Sequence, residues 1–350
     1  MYTTILDIAR ALGISKSTVS RALSGDNKNV SPETTRLVIE TAERMGYKRN
    51  ELAVNLRKQR TMTIGILVPE LETDFYSSFI ARIQPLLQQQ GYRIIVSLSN
   101  EDARWERSNL GMLSDFRVDG ILVSCCDNKA NTDVYTDMLQ NKIPLVFFDR
   151  TIKGLGCSTV RSDDYKAAFF LMEHLIYSGH RRIAHFAGPE YIRNSADRLQ
   201  AYVNTLSKHG IPYDPALVVR GGLEKEDGAA EVSSLLDQGI NIDAVFCFNE
   251  MQAAGAADIL LERGLRIPQD VALASMYGTR VSTLVKPTIT SVEKPVAEIA
   301  REAARLILRQ IENPDSPVEE VVIPSEMFIR ESSAVSGPSQ AWASREKVSS

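Results

Sequence analysis

Between residues 15 and 21 the chain reads Ser15-Lys16-Ser17-Thr18-Val19-Ser20-Arg21, six hydrogen-bonding side chains around one valine. Wound into a helix, this segment turns Val19 inward with Ala22 and Leu23. Lys16, Ser17, Thr18, Ser20 and Arg21 are left outside. Lysine and arginine donors match phosphate oxygens and the O6 and N7 acceptors of guanine, so such a face could read nucleic acid. Patterns for catalysis are thinner. Gly154-Leu155-Gly156 lacks the third glycine of a dinucleotide loop, and neither a P-loop nor a Gly-x-Ser-x-Gly elbow occurs. Cys125, Cys126, Cys157 and Cys247 lie in or beside apolar runs without metal-ligand spacing and read as buried, reduced thiols. Ser162-Asp163-Asp164 reads as a helix cap ahead of Tyr165. No enzyme activity, metal or cofactor is expected.

The polar segment needs a scaffold, and its neighbours supply one. Thr4 can cap a helix from Ile5, with Asp7 in the first turn, and Gly13 can end it. Ser15 then caps a second helix over Lys16–Ser24. Ala9, Gly13 and Val19 are placed to let two helices cross through a tight turn, which is the helix-turn-helix requirement. Ser31-Pro32-Glu33 opens a third helix that runs to Gly46. A cationic linker follows, with a short pattern from Asn50 that puts Leu52, Ala53 and Leu56 on one face. About two turns of helix form only against a partner.

Charge divides the chain at the same place. Residues 1–60 hold 11 Lys/Arg against 6 Asp/Glu, a net of +5, and the remainder holds 29 against 38, a net of −9. A basic head on an acidic body implies a polyanion partner for the head alone. No apolar run reaches ~18 residues, so a membrane span is not expected. The N-terminus has no basic and then apolar segment, and the expected location is the cytoplasm.

From residue 62 onward, apolar strand-like runs (Ile64–Val68, Arg93–Leu98, Gly120–Ser124, Leu145–Phe148, Arg182–Ala187, Ala244–Phe248, Val271–Ser275) alternate with amphipathic segments. Alternation of this kind implies parallel sheets covered by helices on both faces, and the length fits two lobes. Thr288–Val292, a helix over Val296–Glu312 and two short strands near Val321 and Phe328 are expected to return to the first lobe. The expected organisation is a small all-α helix-turn-helix domain over 1–48, a hinge helix and linker over 49–61, and a two-lobed α/β body of doubly wound parallel sheets over 62–332. Lobe 1 is expected at about 62–157 plus 290–318, and lobe 2 at about 158–289 plus 319–332. The Ser-rich stretch 333–350 shows no heptad and is expected to be disordered, which favours a dimer.

Ile8-Ala9, Gly13-Ile14-Ser15 and Thr18-Val19-Ser20-Arg21-Ala22-Leu23 together resemble the DNA-binding head of the LacI/GalR family of bacterial regulators. Asn50-x-x-Ala53-x-x-Leu56 resembles its hinge helix. The body is similar to the type I periplasmic-binding-protein fold of that family through an ordered series of motifs. These include Val118-Asp119-Gly120-Ile121, Phe148-Asp149-Arg150, Gly179-His180-Arg181-Arg182-Ile183-Ala184, Phe246-Cys247-Phe248-Asn249 and Phe328-Ile329-Arg330-Glu331-Ser332. The resemblance spans residue 4 to about 332. It implies a dimer on a pseudo-palindromic double-stranded DNA operator. Lys16, Ser17 and Arg21 would be base readers, Leu56 a minor-groove wedge, and Ser15, Thr18, Ser20, Asn50, Ala53 and Asn55 supporting contacts. Arg49 stands where the family usually has proline, which loosens the entry to the hinge.

The resemblance further implies a small effector, often a sugar or purine, in the cleft between lobes. Matched positions give Asp74, Phe75, Asp149, Arg150, Arg198 and Asn249. Two departures concern the ligand. Ser275-Met276-Tyr277 stands where the family commonly has glycine, an aromatic and aspartate, and Lys294 replaces a glutamine. A carboxylate lost and a cation gained imply a more positive cleft and an acidic effector, with Lys294 and Arg198 as counter-charges. The alternative is internal pairing of Lys294 with Glu293 or Glu298.

Overall fold

The structure is a computed structural model that describes residues 3–24, 30–47 and 60–334. Its chain divides into two compact units, residues 1–61 and 62–350.

Among its described residues the first unit holds three helices, α1 (Ile5–Leu12), α2 (Lys16–Ser24) and α3 (Pro32–Arg44). Thr4 and Asp7 form a reciprocal capping box at the start of α1, and the Thr4 hydroxyl beside Asp7 draws that carboxyl below its usual range. Gly13 ends α1 with φ 66°, a left-handed conformation that glycine adopts without a Cβ penalty. Ser31 caps α3 through the Thr34 amide, with Pro32 in its first turn. Ile8, Ala9, Val19, Ala22, Val38 and Ala42 form the buried centre, and the three alanines let the helices approach closely.

In the second unit the order is β1 (Thr63–Val68), α4 (Asp74–Gln89), β2 (Arg93–Leu98), α5 (Ala103–Asp115), β3 (Gly120–Val123), α6 (Thr132–Gln140), β4 (Leu145–Phe148) and β5 (Ser158–Ser162). There follow α7 (Asp164–Tyr177), β6 (Ile183–Phe186), α8 (Arg193–Lys208), β7 (Val218–Val219), α9 (Lys225–Asp237), β8 (Ala244–Cys247), α10 (Glu250–Glu262) and β9 (Ala272–Met276). The chain ends with α11 (Val281–Leu284), β10 (Thr290–Glu293), α12 (Val296–Glu312), β11 (Glu320–Ile323) and β12 (Glu326–Phe328). Two six-stranded sheets result, ordered β11-β5-β4-β3-β1-β2 and β12-β10-β9-β8-β6-β7. Every pairing is parallel except β10 with β12.

Each sheet is buried on both faces at its centre, which is why β3, β4 and β8 read as unbroken apolar runs. In the first lobe α4 and α12 cover one face and α5 and α6 the other. In the second, α9 and α10 cover one face and α7 and α8 the other. The α9–α10 crossing depends on glycine: a Cβ on Gly255 would meet the Lys225 carbonyl oxygen at 1.8 Å.

Lobe membership differs from the expectation in three segments. β5 belongs to the first sheet, paired with β4, although a nine-residue connection without a helix joins them. β10 belongs to the second sheet beside β9, and β11 to the first beside β5. Of the elements after residue 289, α12 and β12 fall where expected, in the first and second lobes. The chain therefore crosses between lobes three times, at 162–164, 293–296 and 323–326. The expected start of the tail also moves. Ser333 is buried, lies 2.7 Å from His174 Nε2 through its hydroxyl, and donates to Thr290 Oγ1 at 2.6 Å. Residues 335–350, where the rest of the expected tail falls, lie outside the described residues. All four cysteines are buried and unpaired, and no helix among the described residues is long and apolar enough to cross a membrane.

Candidate DNA-reading helix and interlobe cleft

Helix α2 separates its residues cleanly. Val19 and Ala22 are buried, Lys16, Ser17 and Arg21 are exposed, and Thr18 and Ser20 are half-buried. Ser15 caps the helix by accepting the Thr18 amide at 3.1 Å, and its hydroxyl lies 2.7 Å from that of Ser17 and 2.8 Å from that of Thr18. The two long cations therefore sit about 1.4 turns apart on a small helix, exposed to an external acceptor. Asn50, Ala53, Asn55 and Leu56 lie outside the described residues.

In the second unit the polar groups gather where parallel strands end, as expected for open α/β sheets. Asp149 follows β4, Ser124 follows β3, Phe248 follows β8 and Tyr277 follows β9. Lys294 and Asp164 sit on two of the crossovers. The Lys294 ammonium pairs with Asp149 in a bridge whose side chains are 3% and 4% exposed. The other Asp149 oxygen accepts the Tyr76 hydroxyl at 3.1 Å, and Tyr76 also meets Ser124 at 3.0 Å. Burial pushes the Lys294 ammonium down to about 8, against the pull of Asp149 and Asp164 and with the push of Arg198.

Arg198 is fully buried. It donates twice to Asp164, at 2.9 and 2.7 Å, and once to the Phe248 carbonyl at 2.8 Å. The Tyr277 hydroxyl donates to Asp164 at 3.0 Å and accepts from Asn194 at 2.5 Å. Rings and cations alternate through the site. Phe75 lies 4.6 Å from the Lys294 ammonium, which is 3.3 Å from the Tyr277 ring. On its other side Tyr277 faces the Arg198 guanidinium at 3.9 Å, and Phe248 follows at 4.0 Å. Direct bonds also close the lobes: the Asn128 amide donates to the Tyr191 carbonyl at 2.9 Å, and Arg193 donates to the Thr151 hydroxyl at 2.7 Å.

The structure thus brings Phe75, Asp149, Arg198, Tyr277 and Lys294 into one network. Asp74 opens α4 beside them, half-buried. Arg150 is spent on Glu101 at 2.7 Å. Asn249 faces its own lobe, where it accepts the Gln252 amide as the cap of α10 and donates to the Leu223 carbonyl. The expected internal pairing of Lys294 with Glu293 or Glu298 is not found. Glu293 bonds Arg330 at 2.5 Å and Glu298 lies against Arg301, so the ammonium goes to Asp149. Nor is the cleft positive, because Lys294, Arg198 and Arg150 each carry a carboxylate. Sequence reasoning missed Asp164, Tyr76, Asn194 and Phe248. A signal existed for one of them: two adjacent acids cannot both cap α7, and Asp163 takes the cap through the Lys166 amide, leaving Asp164 to turn inward. Glu250, an acid in the first turn of α10, also accepts from the Thr279 and Ser282 amides and hydroxyls.

Bacterial regulatory proteins of the lacI family match residues 4–50, and a periplasmic binding protein-like domain matches residues 172–333. Catabolite control protein A of Priestia megaterium is 31% identical over 335 residues, covering 95% of this chain and 99% of its own. The ribose operon repressor of Haemophilus influenzae is 30% identical over 329 residues, covering 94% and 98%. A solved complex of the transcriptional regulator CelR with cellobiose is 28% identical, with a TM-score of 0.72 over 94% of this chain and 99% of that one. The lac repressor dimer bound to operator and the anti-inducer ONPF, 22% identical, shares the fold, with a TM-score of 0.85 over 96% of this chain and 100% of that one. Relatives at 30% identity or above along nearly the whole chain, beneath a matching head and body, show that this protein belongs to the LacI family of bacterial transcriptional regulators.

Proposed function

We propose that this regulator is a dimeric repressor that reads a pseudo-palindromic operator through α2 and is controlled by a sugar or sugar derivative in the interlobe cleft. The carrying observation is the division of α2, with Lys16, Ser17 and Arg21 exposed above a buried Val19 and Ala22. Lys16 and Arg21 would donate to guanine edges, and Ser15, Thr18 and Ser20 would hold the helix on the backbone. Asn50, Ala53, Asn55 and Leu56 would form the hinge, with Leu56 as the wedge that opens the minor groove. The relatives include a lac repressor dimer on its operator and a cellobiose-bound regulator, which supports the dimer and the ligand class.

In the cleft, carboxylates and guanidinium groups can grip hydroxyl pairs, and Phe75, Tyr277 and Phe248 offer rings to the apolar face of a sugar. The balanced charge gives no reason to prefer an acid, so the expected acidic effector is set aside for a non-acidic one. Effector binding would change the angle between lobes and hence the spacing of the hinges. The coupling is reciprocal, so operator DNA must alter effector affinity by the same factor. On this reading the cleft binds rather than catalyses, since its carboxylates are held in ion pairs, and the protein works in the cytoplasm.

The test is selection of operator sequences from random duplexes by the full chain, followed by Arg21→Ala. The variant should lose about 1–3 kcal/mol on the selected site and accept other bases at one position per half-site. An equal loss on selected and random DNA would sink the assignment of Arg21.

A further inference from the structure

Among the described residues the Lys294 ammonium makes one hydrogen bond, to Asp149, and two rings lie against it. An ammonium has three N–H groups and no acceptor. Asp149 takes one direction, and the faces of Tyr277 at 3.3 Å and Phe75 at 4.6 Å take others. A carboxylate with two aromatic faces is the arrangement by which proteins recognise an ammonium ligand. Here the walls come from different lobes, since Phe75 and Asp149 belong to the first and Tyr277 to the second. The occupant comes from the crossover that joins them.

Charge accounting narrows what could replace it. Asp164 is matched by Arg198 whether or not Lys294 is present. Moving the Lys294 ammonium away leaves the buried Asp149 carboxylate with the Tyr76 hydroxyl and the more distant pull of Arg150, a state that sugar hydroxyls can meet with hydrogen bonds and a second cation meets with charge as well. We propose that Asp149, Phe75 and Tyr277 form a cation-accepting subsite of the cleft, that Lys294 fills it as a tethered ligand, and that effectors enter by displacing it with an amine of their own. The proposal rests on the reading of the cleft as the effector site and names the ligand class as amine-bearing sugars or sugar-like amines. Burial weakens the hold of Lys294 on its proton, so its place in the cage carries a desolvation cost.

The experiment uses the full chain and Lys294→Ala. Alanine leaves out the three carbons and nitrogen of n-propylammonium, which is the first probe, with potassium chloride at equal ionic strength as control. Calorimetry should show saturable n-propylammonium binding to Lys294→Ala at least about tenfold tighter than to wild type, and no such binding to Asp149→Asn/Lys294→Ala. Glucosamine should gain by a similar factor in Lys294→Ala, while glucose gains nothing. Lys294→Met, which keeps a stem in the cage, should show neither gain. Lys294→Ser, whose hydroxyl can bond Asp149, takes the place of alanine if that variant does not fold. Absence of ammonium binding in the folded variant, or an equal gain for glucose, overturns the proposal. A panel of sugars titrated into wild type separates the two readings. Sugar binding without ammonium rescue removes the tethered ligand and leaves the cleft as effector site, whereas no binding of any kind removes both.

Discussion

Asp149 and Tyr277 occupy the same place in the two lobes. Each is the residue after a matching strand, β4 between β5 and β3 in one sheet and β9 between β10 and β8 in the other. Each has φ 58°, in the left-handed region that non-glycine residues rarely adopt. Such a conformation costs of order 1–3 kcal/mol and persists where surrounding structure enforces it. In both lobes it turns a side chain toward the cleft, and both side chains end on Lys294. The architecture is duplicated and the chemistry is not. One lobe presents a carboxylate and the other a ring, and that difference makes a cage for a cation.

Tyr277→Phe tests how much the hydroxyl contributes. The ring and its contacts with Lys294 and Arg198 remain, and the bonds to Asp164 and Asn194 are lost. Urea unfolding should show a loss of about 1–2 kcal/mol, because Asn194 is left with a weakened set of partners in a buried site. An unchanged midpoint would place the hydroxyl outside the network.

Arg198→Ala should be far more damaging. It strips a fully buried Asp164 of two charge-assisted bonds and leaves the Phe248 carbonyl without its donor. A loss of about 3–5 kcal/mol is expected from an uncompensated buried carboxylate. Arg198→Met/Asp164→Leu should recover much of it, since the pair costs desolvation at both ends. Failure of the double variant to outperform the single one in thermal unfolding would contradict this account.

Glu231 gives the second lobe a pH dependence. It is buried on α9, its Oε2 accepts from Gln252 at 3.2 Å, and its Oε1 has no hydrogen-bond partner. Burial, with Asp227 nearby, pushes the carboxyl up from an ordinary 4.5 to about 8. The native state therefore holds a proton that the unfolded chain releases across that interval. The contribution is complete below about 4.5 and is lost as pH rises to about 8. Glu231→Gln should raise the melting temperature at pH 8 relative to wild type and do so much less at pH 5. A constant difference across the range would show that the group is ionised throughout.

Much of this was readable from local pattern. The helix-turn-helix could be placed because caps, a turn glycine and small crossing residues lie within twenty positions of one another. Asp149 and Arg198 could be placed because strand ends and motif order locate the cleft. Other features are not local. β5, Ser158-Thr159-Val160-Arg161-Ser162, has one apolar side chain, and only its neighbours β4 and β11 make it a strand. β11 and β12 are separated by Pro324 and Ser325 yet belong to different sheets, which no periodicity can express. Lys294 was weighed against carboxylates one and four residues away, and its partner lies 145 positions earlier. Pairing of buried charges is decided by where crossovers bring the chain, so it became visible only in the fold.

Ala9→Leu addresses the head alone. Ala9 is 5% exposed and packs with Ile8, Val19, Ala22 and Val38, in a unit whose buried apolar centre comprises six of the described residues. Extra methylenes in a closed core cost about 1–3 kcal/mol, and a domain this small has little stability to lose. The head should therefore unfold near room temperature or lose the mutual placement of α1 and α2. Operator affinity should fall to the level of random DNA. The residue 62–350 unit has its own cores on both faces of two sheets. Its main calorimetric transition should keep the wild-type midpoint. Loss of operator binding with a shifted main transition would mean that the two units share stability, and Ala9 would then be reporting on more than the helix crossing it fills.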